Sequence, residues 1–342
     1  MRIIKAMALS LLCLTLLFGC SKETVKQVKE KEMVLEMPFG SYNHPAIKGE
    51  NMYVSVNSKM GNKESVDTLI KYNMKSEEQE KLYTSQYKEA AIQGTSVNDR
   101  WLVWVDASID GLHSSIKAMD IKTKKVRELA QTKPDKLTIF SPKLYKDYVG
   151  WVELADNEQG EVKLHHLKDN QTETIARLHN YGLFNAFLSI SGNKAVWTDT
   201  KEGKGSYFVY DLASGRTAEY PAPKEFAAYP VYSKEKIFAL HFDDFDNWSE
   251  QSFGYFDLKS NEFVQLDIHS SYINYFDVFK DQIAVIDDQQ QLKLYQLKGQ
   301  TLAKKKTGLQ DDPLFAYYDG EGNLLLPYEE DENKLGIIYS PK

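Results

Sequence analysis

Acidic side chains recur at one phase of a repeating pattern. Asp106, Glu153, Asp199 and Asp287, with His241 in the same register, each end a short apolar segment: WLVWVD, YVGWVE, KAVWTD, QIAVID and KIFALH. Carboxylates gathered in a partly enclosed place attract cations and raise one another's pKa. A fold that brought these five side chains to one rim would make a ligand-binding ring for a cationic or metal-bridged ligand. A fold that left each at its own strand end would use them to solvate loops.

A second acidic stretch runs on from KIFALH. In HFDDFDNWSE, residues 241–250, Asp243, Asp244 and Asp246 could give oxygen ligands to a metal, Ca²⁺ by preference, with Asn247 and Glu250 in support. The spacing lacks the central Gly turn and the closing Glu of the twelve-residue calcium loop. Phe245 and Trp248 could instead make an exposed docking tip, and the acidic run at 329–332 reads as a solvated loop. Enzyme signatures are few. There is neither a G-x-S-x-G elbow nor an H-E-x-x-H helix motif. His165 and His166 are neighbours on a strand and so face opposite ways. Outside the first few residues the arginines are Arg100, Arg127, Arg177 and Arg216, at unrelated phases of the repeat, and no S-x-D-x-G-x-x-W box accompanies them. That argues against a sialidase-like arginine cluster for a carboxylate. The formal net charge of −7 disfavours nucleic acid, whose affinity comes mainly from Lys and Arg on phosphates.

The elements that carry these residues repeat about every 45 residues. Val54, Trp104, Trp151, Trp197, Ala239, Val285 and Leu326 align in the first element at separations of 50, 47, 46, 42, 46 and 41. A second element follows each copy after a polar loop, as in IKAMDIKT, YFVYDLAS and FGYFDLKS, with Asn73, Asp120, His166, Asp211, Asp257, Gln296 and Tyr339 aligned. It ends in a turn signal such as Ser214-Gly215, Ser260-Asn261 or Lys298-Gly299. A third stretch (KVRELA, TETIAR, EFVQLD) comes after the turn. Another (LTIFSP, NAFLSI, AAYPVY, INYFDV, LFAYYD) precedes each acid-tipped segment. Four short strands at this period, with no amphipathic helix pattern, predict an all-β chain built as a β-propeller.

Seven copies predict seven blades, with six or eight as alternatives. The last unit lacks a fourth strand and the first is preceded by a spare one, EMVLEM at 32–37. That N-terminal strand is expected to close the last blade and so remove open edges. Residues 44–49 would then be the innermost strand of the first blade. Trp104, Trp151 and Trp197, in register, are expected to pack between blades, with sugar stacking as the other reading.

The pair V-W-x-D, then Y-x-x-D-L-x-S-G, clearest at 195–199 and 208–215, resembles the TolB-like and wider WD-repeat-like propellers of bacteria. The likeness covers about residues 33–342. It implies an architecture shared by binding modules, scaffolds and a few enzymes. The TolB-like label often goes with six blades, and a count of seven departs from it.

The N-terminus carries a different signal. Arg2 and Lys5 precede a short apolar run, residues 6–19, too short to span a membrane. Leu17-Phe18-Gly19-Cys20 then resembles the lipobox of bacterial lipoproteins, with Phe18 bulkier than the residue usual there. The resemblance implies a signal peptide at 1–19 and a lipidated Cys20 bearing acyl chains such as palmitate. It also implies a tether over 20–32, a propeller over 33–342 and a place on the extracytoplasmic side of a cell membrane. The other cysteine, Cys13, lies in the leader, so the folded part has no thiol chemistry. Together these readings predict a lipid-anchored module that binds an envelope protein, a peptide or a cell-wall component through its loop face. The alternative is a metal-assisted hydrolase or lyase that uses the acidic rim.

Overall fold

Each repeat folds into one antiparallel sheet because its two central segments are apolar on both sides and can be covered only by neighbouring sheets. The structure is a computed structural model. It describes residues 31–57, 65–132, 140–154, 159–244, 246–247, 250–270, 272–309, 312–328 and 333–340. The leader, Cys20, most of the tether, Phe245, Trp248 and the run 329–332 lie outside the described residues.

Among the described residues there are seven four-stranded sheets. The strands are given from the channel outward. Blade 1 is β2 (Tyr42–Lys48), β3 (Asn51–Val56), β4 (Thr68–Asn73) and β5 (Gln79–Thr84). Blade 2 is β6 (Ala90–Val97), β7 (Trp101–Ser108), β8 (Ser114–Asp120) and β9 (Val126–Gln131). Blade 3 is β10 (Lys143–Tyr145), β11 (Tyr148–Leu154), β12 (Gly160–His166) and β13 (Gln171–Arg177). Blade 4 is β14 (Ser189–Ser191), β15 (Lys194–Lys201), β16 (Lys204–Asp211) and β17 (Arg216–Pro221). Blade 5 is β18 (Phe226–Ser233), β19 (Lys236–Phe242), β20 (Ser252–Asp257) and β21 (Glu262–Gln265). Blade 6 is β22 (Ile273–Phe279), β23 (Gln282–Asp287), β24 (Leu292–Lys298) and β25 (Thr301–Lys305). Blade 7 is β26 (Tyr317–Tyr318), β27 (Leu324–Pro327) and β28 (Lys334–Ile338), with β1 (Glu32–Glu36) as its outer strand.

The chain is thus a seven-bladed β-propeller. The N-terminal strand β1 pairs with β28, from Glu32 opposite Ile338 to Glu36 opposite Lys334, and closes the ring without a covalent link. The core is distributed among the seams between blades. One cluster joins Trp101 and Val103 of blade 2 to Val149 and Trp151 of blade 3. Another joins Val152 and Leu164 to Trp197 of blade 4. At the closing seam Met37, Ile47 and Met52 pack on Leu325, Leu335 and Ile337. Trp104, Trp151 and Trp197 are all fully buried, so the packing reading of these three holds and sugar stacking does not.

The aligned acid of the second element proves to be a turn device. Asp211 accepts N–H bonds from Ala213 and Ser214, while Gly215 takes a left-handed φ of 67°. Asp120, Asp257 and Asn73 do the same for the N–H groups two and three residues on. Three of these acids also pair with a basic residue at or just before the start of the preceding strand: Arg100 with Asp120, Lys194 with Asp211 and Lys236 with Asp257.

The innermost strands depart most from the sequence reading. In blade 3 the segment LTIFSP was expected as the strand; its residues 137–139 lie outside the described residues, and β10 starts only after Pro142, at Lys143. Pro142 has no N–H for a ladder, and Phe140 is buried in the seam between blades 2 and 3. In blade 4, Asn185 accepts the N–H of Gly182 and donates to the carbonyl of Asn180, folding 183–185 into a single helical turn. The strand therefore begins only at Ser189.

Two outcomes test the closure and the packing. Deleting residues 31–37 bares the edge of β28, so we expect a lower unfolding temperature and self-association, read by calorimetry and light scattering. At Gly254 an added Cβ would meet the carbonyl oxygen of Val264 at 2.4 Å and the Phe263 ring at 2.6 Å. Gly254→Val should therefore cost about 2 kcal/mol or more in denaturant unfolding; an unchanged midpoint would contradict this packing.

Candidate functional site

The five residues of the expected rim lie within two residues of the ends of the second strands of their blades, and each already has partners inside the protein. Asp106 is fully buried and receives hydroxyl bonds from Tyr83 and Ser85 of the preceding blade, both at 2.6 Å. Asp199 is buried and accepts the N–H groups of His179, Asn180 and Thr200 at 2.7, 3.1 and 2.8 Å, with the His179 ring at 2.9 Å. Asp287 accepts the N–H groups of Gln289 and Gln291 and pairs with Lys293 at 2.9 Å. Burial pushes that carboxyl up, but Lys293 and the two N–H donors outweigh it and hold it below the usual range. Glu153 takes the indole N–H of Trp151 at 2.7 Å and lies 3.5 Å from the Lys163 ammonium.

His241 is enclosed completely. Its Nδ1 faces the carbonyl of Ser252, which can only accept, so Nδ1 carries the proton and Nε2 accepts from the Tyr207 hydroxyl of blade 4. Burial pushes the imidazole down to about 3. Asp106, Asp199 and His241 thus stitch each blade to the chain before it. The five are not brought together: among the described residues no three His, Cys, Asp or Glu side chains gather in a metal-holding arrangement. In the loop after β19, Asp243 pairs with Lys224 at 3.0 Å and Asp244 accepts the N–H of Asp246 at 3.0 Å. His165 is buried against the Thr172 hydroxyl, while His166 pairs with Asp169.

The open chemistry lies on the innermost strands. Register aligns Ala46, Ser96, Lys143, Ser189, Val231, Asp277 and Tyr317, each opposite the residue before an aligned apolar position of the second strand. Two residues earlier stand His44, Gly94, Ser141, Phe187, Tyr229, Tyr275 and Phe315. These are two layers around the channel, the earlier one nearer the face where the loops after the second strands open. All seven of that layer are at least partly exposed, Tyr275 and Phe315 by 36% and 39%. Tyr275 is accessible yet surrounded by protein, and desolvation with the nearby Asp277 raises its phenol. That combination fits a group lining a narrow bore. Rings touch around the layer: Tyr275 on Phe315 at 5.9 Å, Phe315 stacked on His44 at 5.6 Å, and Phe187 on Tyr229 at 5.0 Å.

Bulges aim several of these side chains. The pairing shifts between Asn43 and Ala46, Gln93 and Ser96, and Ala228 and Val231. The bulged residues His44, Gly94 and Tyr229 all have positive φ, of 36°, 63° and 55°. Glycine adopts this freely, whereas His and Tyr do so at a cost of about 1 kcal/mol or more. A cleft of about 240 Å³ adjoins this layer between blades 7 and 1, lined by Tyr42, Asn43, His44, Phe315, Tyr328 and Asn333 among others. Both His44 Nδ1 and Asn333 Oδ1 are buried there without a hydrogen-bond partner. Burial, then the charge of Lys143, push the His44 imidazole down to about 4. Sequence reading missed this layer. The positions share no residue type, and only their fixed offset from the aligned apolar residues marks them.

No protein-family model matches the chain, and no curated protein matches it. Solved structures do, as folds. The β-propeller domain of the Trilobed protease from Pyrococcus furiosus, described with an open velcro topology, is 13% identical over 88% of this chain and 96% of that one, with a TM-score of 0.62. Here the ring is instead closed by β1. A chain of the Mitotic Checkpoint Complex is 9% identical over 91% of both, at 0.59. TolB from Acinetobacter baumannii is 15% identical over 86% of this chain and 66% of that one, at 0.47.

The clamp geometry has a pH signature. An unfolded histidine titrates near 6.5; folded His241 and His44 titrate near 3 and 4. Folded-state values below the unfolded one mean stability that is present above pH 6.5 and lost as pH falls below it. Unfolding free energy should drop between pH 6 and 4.5 with a slope approaching about 1.4 kcal/mol per pH unit per histidine. His241→Gln should flatten that slope by about one proton. Separately, Asp199→Ala should cost about 1–3 kcal/mol in denaturant unfolding, because it strands three N–H donors.

Proposed function

We propose that this chain is a binding module of the bacterial cell envelope. A lipid on Cys20 holds it to a membrane on the extracytoplasmic side, and the loop face grips a partner. A propeller suits this role, since its rigid ring carries variable loops on one face. The observation that carries the reading is where exposed apolar surface lies. Ile109 and Leu112 sit in the loop between β7 and β8; Leu183, Leu314 and Phe315 sit in the connections entering blades 4 and 7; Tyr275 lies at the channel mouth. By strand direction all belong to one face. Among the described residues, the other exposed large apolar side chain is Val34, on the outer strand β1.

Apolar side chains spread over one face, rather than scattered singly, mark interaction surfaces. They favour a protein or peptide partner over a highly hydroxylated cell-wall glycan. This is the face the sequence reading selected, but with apolar anchors in place of an acidic rim.

The test uses the full chain in its own cell, with a photo-crosslinker at Leu112 or Leu183, or at Lys122 on the opposite face. The expected result is one shared adduct from 112 and 183, absent from 122 and lost in Phe315→Asp. Equal adducts from both faces, or none from either, would contradict the reading. Cys20→Ser should move the chain from the membrane to the soluble fraction; a variant that stays with the membrane would remove the anchor.

A further inference from the structure

The channel differs around its circumference. Among the described residues, blades 4 to 7 present Phe187, Tyr229, Tyr275 and Phe315 in the layer nearer the loop face, whereas blades 2 and 3 present only Gly94 and Ser141. That gap among the large side chains lies beside Lys143, one layer deeper on β10. Lys143 is exposed although it sits on an innermost strand. Its charge acts on His44 of blade 1 and on Asp277 of blade 6. Blades 1, 3 and 6 approach one another only around the axis, so the ammonium stands inside the bore.

Among the described residues no acceptor is within hydrogen-bond or ion-pair distance of the Lys143 ammonium. Asp277, whose oxygens take the N–H groups of Tyr318 and Val278, each at 2.7 Å, lies outside that distance. Two more polar atoms on neighbouring innermost strands, His44 Nδ1 and Thr95 Oγ1, are buried without partners. A cation held in a confined, partly apolar bore attracts an anion more strongly than it would in bulk water. The aromatic wall across from it offers flat faces to a ring.

We propose that the channel binds a small carboxylate carried on a ring-bearing body, with the carboxylate on Lys143 and the ring against Tyr275 and Phe315. The gap at Gly94 and Ser141 gives the head group its way to the ammonium. This goes beyond the partner-binding reading, and either can fail while the other stands.

The test is calorimetric titration of the full chain with phenylacetate and with its neutral amide, and likewise with glucuronate and glucuronamide. The second pair tells a sugar ring from an aromatic one. We expect at least one acid to bind saturably and its amide to bind about tenfold more weakly or worse. Lys143→Met should bring that acid down to the level of its amide, whereas Lys143→Arg should stay within about threefold of the parent. Ser141→Phe, which fills the gap and leaves the ammonium in place, should weaken the acid as well. Thermal unfolding of each variant confirms the fold. Equal affinity for acid and amide, an unaffected Lys143→Met, or no saturable binding of either acid below about 10 mM would overturn the proposal.

Discussion

Each sheet of this protein has two apolar sides and no core of its own. A residue such as Val103 or Trp151 leaves water only when the next blade covers it. At about 25 cal/mol per Å² of apolar surface, covering both sides of seven sheets is the dominant favourable term, and it is available only to a closed circle. An open row would leave two apolar faces exposed. The pairing of β1 with β28 completes the seventh seam, where Met37, Ile47 and Met52 meet Leu325, Leu335 and Ile337. The channel, the loop face and the two layers of innermost residues exist because that seam closes.

Carboxylates serve this closure. A repeat that stacks sheets must also hold hairpins and connections in place, and acids do so by accepting N–H and O–H groups that burial would otherwise strand. Asp211 and its counterparts fold the outer turns; Asp106, Asp199 and His241 fasten one blade to the chain before it. The same chemistry that would make an acidic rim attractive to cations is used up by these internal donors. A recurring acid in a recurring fold is therefore first a statement about assembly.

The inner wall obeys a looser rule. Second and third strands are covered on both sides, so their residues must be apolar and in register. Innermost strands face the bore on one side and need only avoid filling it. They vary in length from the two residues of β26 to the eight of β6 and β18, and they carry bulges with left-handed residues. This freedom lets Lys143 and Asp277 share one layer, and a set of aromatic rings the layer nearer the loop face, in a ring of otherwise similar blades.

Much of the architecture was legible from the chain alone. The 45-residue period, the apolar central strands, the hairpin turn signals and the spare strand at 32–37 are local patterns, set by burial on both faces and by hairpin chemistry within a few residues. The all-β class, seven blades and the closing strand followed from them. The use made of each acid was not legible, because Asp106 meets Tyr83 and His241 meets Tyr207 only across a seam. Nor was the start of the inner strands of blades 3 and 4, where Pro142 and the side chain of Asn185 override a segment that otherwise reads as a strand. The convergence of residues 44, 143 and 277 on one bore was decided by the tertiary structure, since residues about 100 or more apart share no local signal and meet only when the circle is complete.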